Sequence, residues 1–177
     1  MKKNLFLFQL TALTFTAVLG TLLHFLYEWT HLALFAPVSA VNESTFEHMK
    51  ILFFPMLFFA LIQSNFFGVA YPDFWKIKLI GIVIGVTLIP VLFYTYNGAV
   101  GSSPDWVNIA IFFLSAGLAY FVEFLLFKNS DEQSSSPVLP IVILCLLTTL
   151  FIVCTFFPPK IPLFQDPLSL RYGMNAK

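Results

Sequence analysis

The chain has few charged residues: they make up 10% of 177, and nine basic residues balance nine acidic ones. No more than two like charges are adjacent, so the basic stripe that binds a phosphate backbone is missing and we expect no nucleic acid partner. Together with 59% hydrophobic residues and a mean hydropathy of +0.88, this low charge excludes an ordinary soluble domain. The composition predicts a membrane protein in contact with a lipid bilayer.

Cysteine is also scarce. Cys145 and Cys154 lie nine residues apart in one apolar run, which on a helix turns them about 180° from each other. They are too far apart to form a disulfide within that helix. We interpret both as small buried hydrophobic residues.

Long hydrophobic runs, by contrast, are abundant. A spanning helix needs about 20 mostly apolar residues, and five stretches qualify: 5–27, 45–67, 77–96, 107–127 and 138–157. The first run is longer than that of a signal peptide, so we interpret it as an uncleaved helix. The predicted fold class is an all-α bundle of five transmembrane helices over residues 1–157, followed by a Pro-rich extended tail over 158–177.

The basic residues predict an orientation. A cytoplasmic N-terminus puts five lysines on the inner side and leaves the connections 28–44 and 97–106 without any Lys or Arg. Lys50 and the basic residues of the tail then lie outside. We therefore expect the N-terminus inside and the C-terminus outside.

Polar residues gather where the first two spans meet. His24 and Glu28 are four apart and share a face of the first helix, and the stretch "VNESTFEHMK" (41–50) opens the second. Ionisable residues within a membrane rarely face lipid, so we expect an outward-facing pocket. The candidate binding residues are His24, Tyr27, Glu28, Asn42, Glu43, Ser44, Glu47, His48 and, from the tail, Asp166.

Helix-start chemistry is a purely structural alternative. Ser44 and Glu47 have the spacing of a capping box, and Glu43 and Glu47 suit the positive end of a helix dipole. Lys50, three residues after Glu47, is expected to form a weak surface pair with it.

Two chemical functions stay open beside that alternative. In the first, the pocket binds or conducts a small solute or cation, with Glu28 and Glu47 as charge partners and the histidines as proton-sensitive ligands. In the second, His24, Glu28, Glu47 and His48 hold Zn, Fe or Mn in an intramembrane hydrolase, Glu28 or Glu47 serving as base. The sequence has no H-E-x-x-H motif and no G-x-S-x-G elbow. The third alternative is an accessory subunit whose polar patch only docks a partner. The partner left open is a second copy of the chain or another membrane protein.

Two features lie outside the pocket. Glu123, near the inner end of the fourth span, is expected to pair with Lys76 or Lys78, or else to act as the inner proton stop of a transport path. Gly81 and Gly85 form a small-xxx-small pair, which predicts close helix packing within the bundle.

The tail contains four prolines between positions 158 and 167, interleaved with apolar residues. Prolines prevent an ordinary helix there, while the apolar residues argue against a free linker. We expect the tail to fold back near Glu28 and Glu47 as a lid or strap for a partner, where Asp166 or Arg171 joins the polar group.

Three motifs resemble a known family. "HFLYEW" (24–29), "NESTFEHMK" (42–50) and "PPKIPLFQDP" (158–167), the last followed by "YG", are similar to those of small multi-pass bacterial membrane proteins, mostly from Gram-positive bacteria, that are known only as a domain of unknown function. The resemblance implies a bacterial cell-membrane protein and no particular activity. The chain departs from the family pattern at two places. Pro37 lies further from the Asn-Glu-Ser sequence than the corresponding proline of the family, and Ser169 and Leu170 stand where Thr-Gly is common. The motif positions are His24, Tyr27, Glu28, Asn42, Glu43, Ser44, Glu47, His48, Pro162, Asp166 and Tyr172.

Overall fold

The computed structural model describes residues 4–68, 70–130 and 136–176, and it confirms the all-α fold with five helices. The helices are α1 Leu5–Thr30, α2 Thr45–Phe67, α3 Phe74–Val100, α4 Asp105–Lys128 and α5 Val138–Phe156. All five are long and apolar enough to cross a membrane. No strand occurs in the described part of the chain, which has a single isolated β-bridge, between Gln165 and Tyr172.

The helix ends differ from the predicted bounds by up to four residues. The largest difference is in α3, which continues through the Asn-Gly pair at 97–98 and stops only before Gly101, whose φ is +100°. Asn97 remains helical because its side chain donates to the Phe93 carbonyl oxygen at 3.0 Å, inside the helix. An Asn-Gly pair thus marks the last turn here and not the loop itself.

Helix α2 forms the centre of the bundle. In its most apolar window 61% of the residues are buried, against 28–33% in the other four helices. It packs against α1 and α3, and α4 packs against the same two helices, so α1 to α4 surround one core. Helix α5 lies outside this group, against α3, and inserts Phe151 between Phe46, Phe53 and Phe54 of α2. The exposed apolar faces suit contact with lipid.

Two glycines allow α3 and α4 to approach closely. A Cβ atom on Gly81 would overlap the Glu123 side chain, and one on Gly85 would lie 3.0 Å from the Ala119 Cβ atom. Both partners belong to α4. The predicted small-xxx-small contact within the bundle is therefore confirmed.

The two cysteines are free, as expected, but only Cys154 is buried. The prediction of burial is wrong for Cys145. Helix α5 touches the bundle along one side, so two residues about 180° apart on it cannot both face inward.

The segment after α5 is compact. It contains two single-turn 3-10 helices, Pro162–Phe164 and Gly173–Ala176, with a reverse turn between them closed by the Gln165–Tyr172 bridge. Pro162 is compatible with the first of these because proline is tolerated at the first helical position. Phe164 is buried against Phe46, with ring centroids 4.4 Å apart, which fixes the tail on the start of α2.

Candidate functional site

The end of the bundle where α1 stops, α2 starts and the tail folds back is called the tail end below. Here Ser44 caps α2: its hydroxyl accepts the Glu47 N–H at 3.4 Å, and the Asn42 side-chain oxygen accepts the Ser44 N–H at 2.8 Å. The Glu47 carboxylate does not complete a capping box. It accepts the Val41 N–H at 3.1 Å instead.

Lys50 and Glu47 form a buried ion pair. Lys50 Nζ lies 2.6 Å from Glu47 Oε2, and the side chains are 0% and 2% exposed. The ammonium also donates to the Ala36 carbonyl and to Thr155 Oγ1, both at 2.9 Å. The prediction of a weak surface pair is wrong, because the 31–44 connection and α5 cover the pair and replace water as its hydrogen-bond partners.

Beside this pair, two imidazoles and one carboxylate converge. His24 Nε2 is 3.4 Å and His48 Nε2 is 3.9 Å from Glu43 Oε2, and the two imidazole rings are 5.4 Å apart between centroids. One ligand atom from each residue lies within 4.8 Å of the other two. Among the described residues this is the only group of three His, Cys, Asp or Glu side chains close enough to share an ion.

The protonation of His48 is fixed by its own helix. His48 Nδ1 lies 3.0 Å from the Ser44 carbonyl oxygen, which can only accept a hydrogen bond. Nδ1 therefore carries the proton, and in the neutral ring Nε2 presents a lone pair toward Glu43. A backbone carbonyl that holds the remote nitrogen of a histidine in this way is typical of metal sites.

The spacing of the three groups suits a transition metal. Two ligands about 2.1 Å from a tetrahedral zinc ion are about 3.4 Å apart, and His24 Nε2 and Glu43 Oε2 are 3.4 Å apart. His48 Nε2 lies 3.9 Å from Glu43 Oε2 and would have to move closer to share the same ion. The side chains of His24, His48 and Glu43 are 23%, 20% and 28% exposed, so water can reach the cluster.

The other predicted site residues lie around this cluster. Glu28 is exposed one turn further along α1, and Tyr27 is half-buried in the same turn. Neither Glu28 nor Glu47 belongs to the group of three, whose carboxylate comes from Glu43. Glu28 and His31 have E-x-x-H spacing, a common helical metal pattern. His31, however, ends α1 with a left-handed φ of 52°, outside the helical face that this motif requires.

Asn42 and Asp166 connect the cluster to the tail. Asn42 Nδ2 donates to the Gly173 carbonyl oxygen at 3.0 Å, and the Glu43 N–H donates to Asp166 Oδ2 at 3.3 Å. Both side chains are 2% exposed. The tail therefore contacts the backbone segment that carries Glu43.

A second buried ion pair lies toward the opposite end of the bundle. Lys78 Nζ of α3 is 2.6 Å from Glu123 Oε2 of α4, and Gln9 of α1 donates to the same oxygen at 3.1 Å. The rings of Phe74, Tyr120 and Phe127 lie 5.5–5.8 Å from the Lys78 ammonium. The predicted pairing of Glu123 is confirmed with Lys78. The role of Gln9 was not predicted; the available signal was an amide side chain within a predicted membrane span.

Comparison with known proteins adds a family and no activity. No curated protein and no solved structure matches the chain. One family model matches residues 2–174, nearly the whole chain, in accord with the resemblance to a family of unknown function noted from the three motifs. The chain thus belongs to the family of unknown function DUF6512.

Proposed function

We propose that this membrane protein binds a divalent transition-metal cation at the tail end, with His24, Glu43 and His48 as its ligands. The observation that carries the proposal is the convergence of the three ligand atoms within 4.8 Å. The backbone hydrogen bond of His48 Nδ1 supports it, since that bond leaves Nε2 free to coordinate. Two imidazoles and a carboxylate suit Zn²⁺, Fe²⁺ or Mn²⁺ and not Ca²⁺ or Mg²⁺, which prefer oxygen ligands.

This ligand set differs from the four residues favoured by the sequence. Glu47 is committed to Lys50 at 2.6 Å and to the Val41 N–H, so it serves the fold. Glu43 takes its place because the 31–44 connection returns over α1 and carries Glu43 to His24. Glu28, one turn further along α1 and exposed, is not among the proposed ligands.

We place this site on the outer side of a bacterial cell membrane. The lysine distribution supports that orientation, and the resemblance to bacterial membrane proteins supports the location. A metal ion bound with an open coordination position can be passed to a partner, or it can activate a water molecule for hydrolysis. The 20–28% exposure of the three side chains favours water access in either case. Binding of the metal is the step common to both, and it is the function proposed.

Zinc titration of the detergent-purified full-length protein tests the proposal. Isothermal calorimetry and elemental analysis should give one Zn²⁺ per chain, and neither Ca²⁺ nor Mg²⁺ should compete at equal concentration. Each of His24→Asn, His48→Asn and Glu43→Gln should weaken binding by more than about tenfold, because loss of even an outer partner has that effect.

The third histidine provides the matched control. His31 is exposed and has a left-handed backbone that Asn tolerates, so His31→Asn should bind Zn²⁺ as the wild type does. No stoichiometric Zn²⁺ in the wild type, or equal losses in His31→Asn and His24→Asn, would overturn the proposal. The cluster would then be a hydrogen-bonded polar surface, and an accessory role in docking a partner would become the leading alternative.

A further inference from the structure

The carboxylate of the cluster is held differently from the two imidazoles. His24 and His48 lie on the long helices α1 and α2, whereas Glu43 lies in the 31–44 connection, just before the cap of α2. Its backbone N–H donates to Asp166 Oδ2 of the tail at 3.3 Å. The position of one ligand thus depends on a segment more than 120 residues away in sequence.

Asp166 is itself rigidly placed. Its Oδ1 accepts the N–H groups of Leu168 and Ser169 at 2.7 and 3.1 Å, and its backbone exchanges two further hydrogen bonds, with Arg171 and Leu170. With Oδ1 occupied by its own turn, Oδ2 is the oxygen directed at Glu43. Leu170 adopts a left-handed φ of 58° to close this turn, a conformation that only a well-determined turn retains in a residue other than glycine.

The residue before Glu43 makes a second contact with the tail. The Asn42 side chain donates to the Gly173 carbonyl oxygen at 3.0 Å and accepts the Ser44 N–H at 2.8 Å. The tail therefore contacts this segment at Glu43 and at the residue before it. Since these polar groups are buried, leaving any of them unpaired would be unfavourable, and the tail and the 42–44 segment must move together.

We infer that docking of the tail and binding of the metal are coupled, with Asp166 as the residue that positions Glu43. This inference rests on the proposed metal site. A metal that fixes Glu43 restricts residues 42–44 to the conformation that accepts the tail. By linkage, the docked tail raises metal affinity by the same factor. A coupling of ordinary size corresponds to about 5- to 150-fold.

Proteolysis of the full-length protein in detergent measures this coupling. Lys160 and Arg171 are exposed residues of the tail at which trypsin can cleave once the tail detaches. Release of the C-terminal peptides, followed by mass spectrometry, should be at least about fivefold slower with saturating Zn²⁺ than with a chelator. Cleavage after Lys128, which is exposed at the end of α4, reports any effect of Zn²⁺ on the protease itself and should not change.

Three variants separate the positioning role of Asp166 from a general effect on folding. Asp166→Asn keeps the size of the side chain but weakens the bond to Glu43, and should reduce both zinc affinity and Zn²⁺-dependent protection at least about fivefold. Asp105→Asn, at the exposed start of α4, is the matched control and should leave both unchanged. In Glu43→Gln, Zn²⁺ should no longer slow tail cleavage.

The outcomes distinguish the two proposals. If the wild type binds Zn²⁺ but its tail is cleaved equally fast with and without it, the coupling is refuted and the metal site stands. The same holds if Asp166→Asn binds Zn²⁺ as tightly as the wild type. If no Zn²⁺ binds to the wild type, both the metal site and the coupling are refuted.

Discussion

Lys78 of α3 and Glu123 of α4 form a 2.6 Å ion pair whose side chains are 1% and 0% exposed. Two charges removed from water in this way are stable only as a pair, because the loss of one partner leaves the other buried and uncompensated. Gln9 adds a third helix through the same carboxylate oxygen. The pair therefore joins α1, α3 and α4.

Removal of the ammonium alone should be strongly destabilising. We expect Lys78→Met to lower the free energy of unfolding by about 3–5 kcal/mol, measured by denaturant titration in mild detergent micelles. The double variant Lys78→Met/Glu123→Leu removes the orphaned charge as well and should be more stable than the single variant. Lys76→Met, two residues earlier and exposed, should unfold like the wild type. A single variant as stable as this control would contradict the account of the pair.

The second prediction concerns the close approach of α3 to α4. Gly81→Ala should destabilise the protein by about 1–3 kcal/mol, because the added methyl group overlaps Glu123 and forces the ion pair apart. Gly98 lies in the same helix with no neighbour within 4 Å of an added Cβ atom. Gly98→Ala should therefore be neutral or slightly stabilising. Thermal melting of the two variants side by side would reveal the difference, and equal melting temperatures would count against a tight contact at Gly81.

The third prediction concerns the attachment of α5. Thr155 Oγ1 accepts a hydrogen bond from Lys50 at 2.9 Å and is buried, so Thr155→Val should reduce stability by about 1.5–3 kcal/mol, the range for a bond to a charged group. Thr149 is exposed on the same helix and bonds only within it. Thr149→Val should change little when both are measured by the same denaturant titration, and a similar loss in both would exclude a specific role for Thr155.

The fourth prediction concerns the start of α2. Ser44→Ala removes the hydroxyl that accepts the Glu47 N–H and should lower stability by about 1 kcal/mol. Hydrogen exchange should be faster at the amides of the first turn of α2, and unchanged in its last turn. The matched variant Ser64→Ala, whose hydroxyl donates to the Leu61 carbonyl near the end of α2, should leave the first turn protected. First-turn exchange as slow as in the wild type would show that Asn42 alone maintains the cap.

The five helices could be predicted from the sequence because membrane spans are long and uniform in composition. The ends of α1 and α3 were less predictable. His31 and Gly101 terminate these helices through positive φ values of 52° and 100°, and the residues before them are equally compatible with helix and turn. The choice depends on local hydrogen bonds such as the one that Asn97 makes.

The composition of the site was only partly predictable. Spacing along a helix predicts that His24 lies near Glu28 and Glu47 near Lys50. It does not predict the path of the 14-residue connection 31–44, which carries Glu43. Glu43 reaches the histidines because that connection folds back on α1, its Ala40 N–H donating to the Leu23 carbonyl at 3.1 Å. The burial of Lys50 has the same origin, since its partners Ala36 and Thr155 come from segments distant in sequence.

The two buried ion pairs differ in how far apart their partners lie along the chain. Glu47 and Lys50 are one helical turn apart, so α2 enters the bilayer with its own counter-charge and is electrically neutral at that point. Lys78 and Glu123 are 45 residues apart, on different helices, and each helix alone would bring an uncompensated charge into lipid. We therefore expect α2 to enter a membrane without a partner helix, whereas α3 should insert more efficiently when α4 follows it and supplies Glu123.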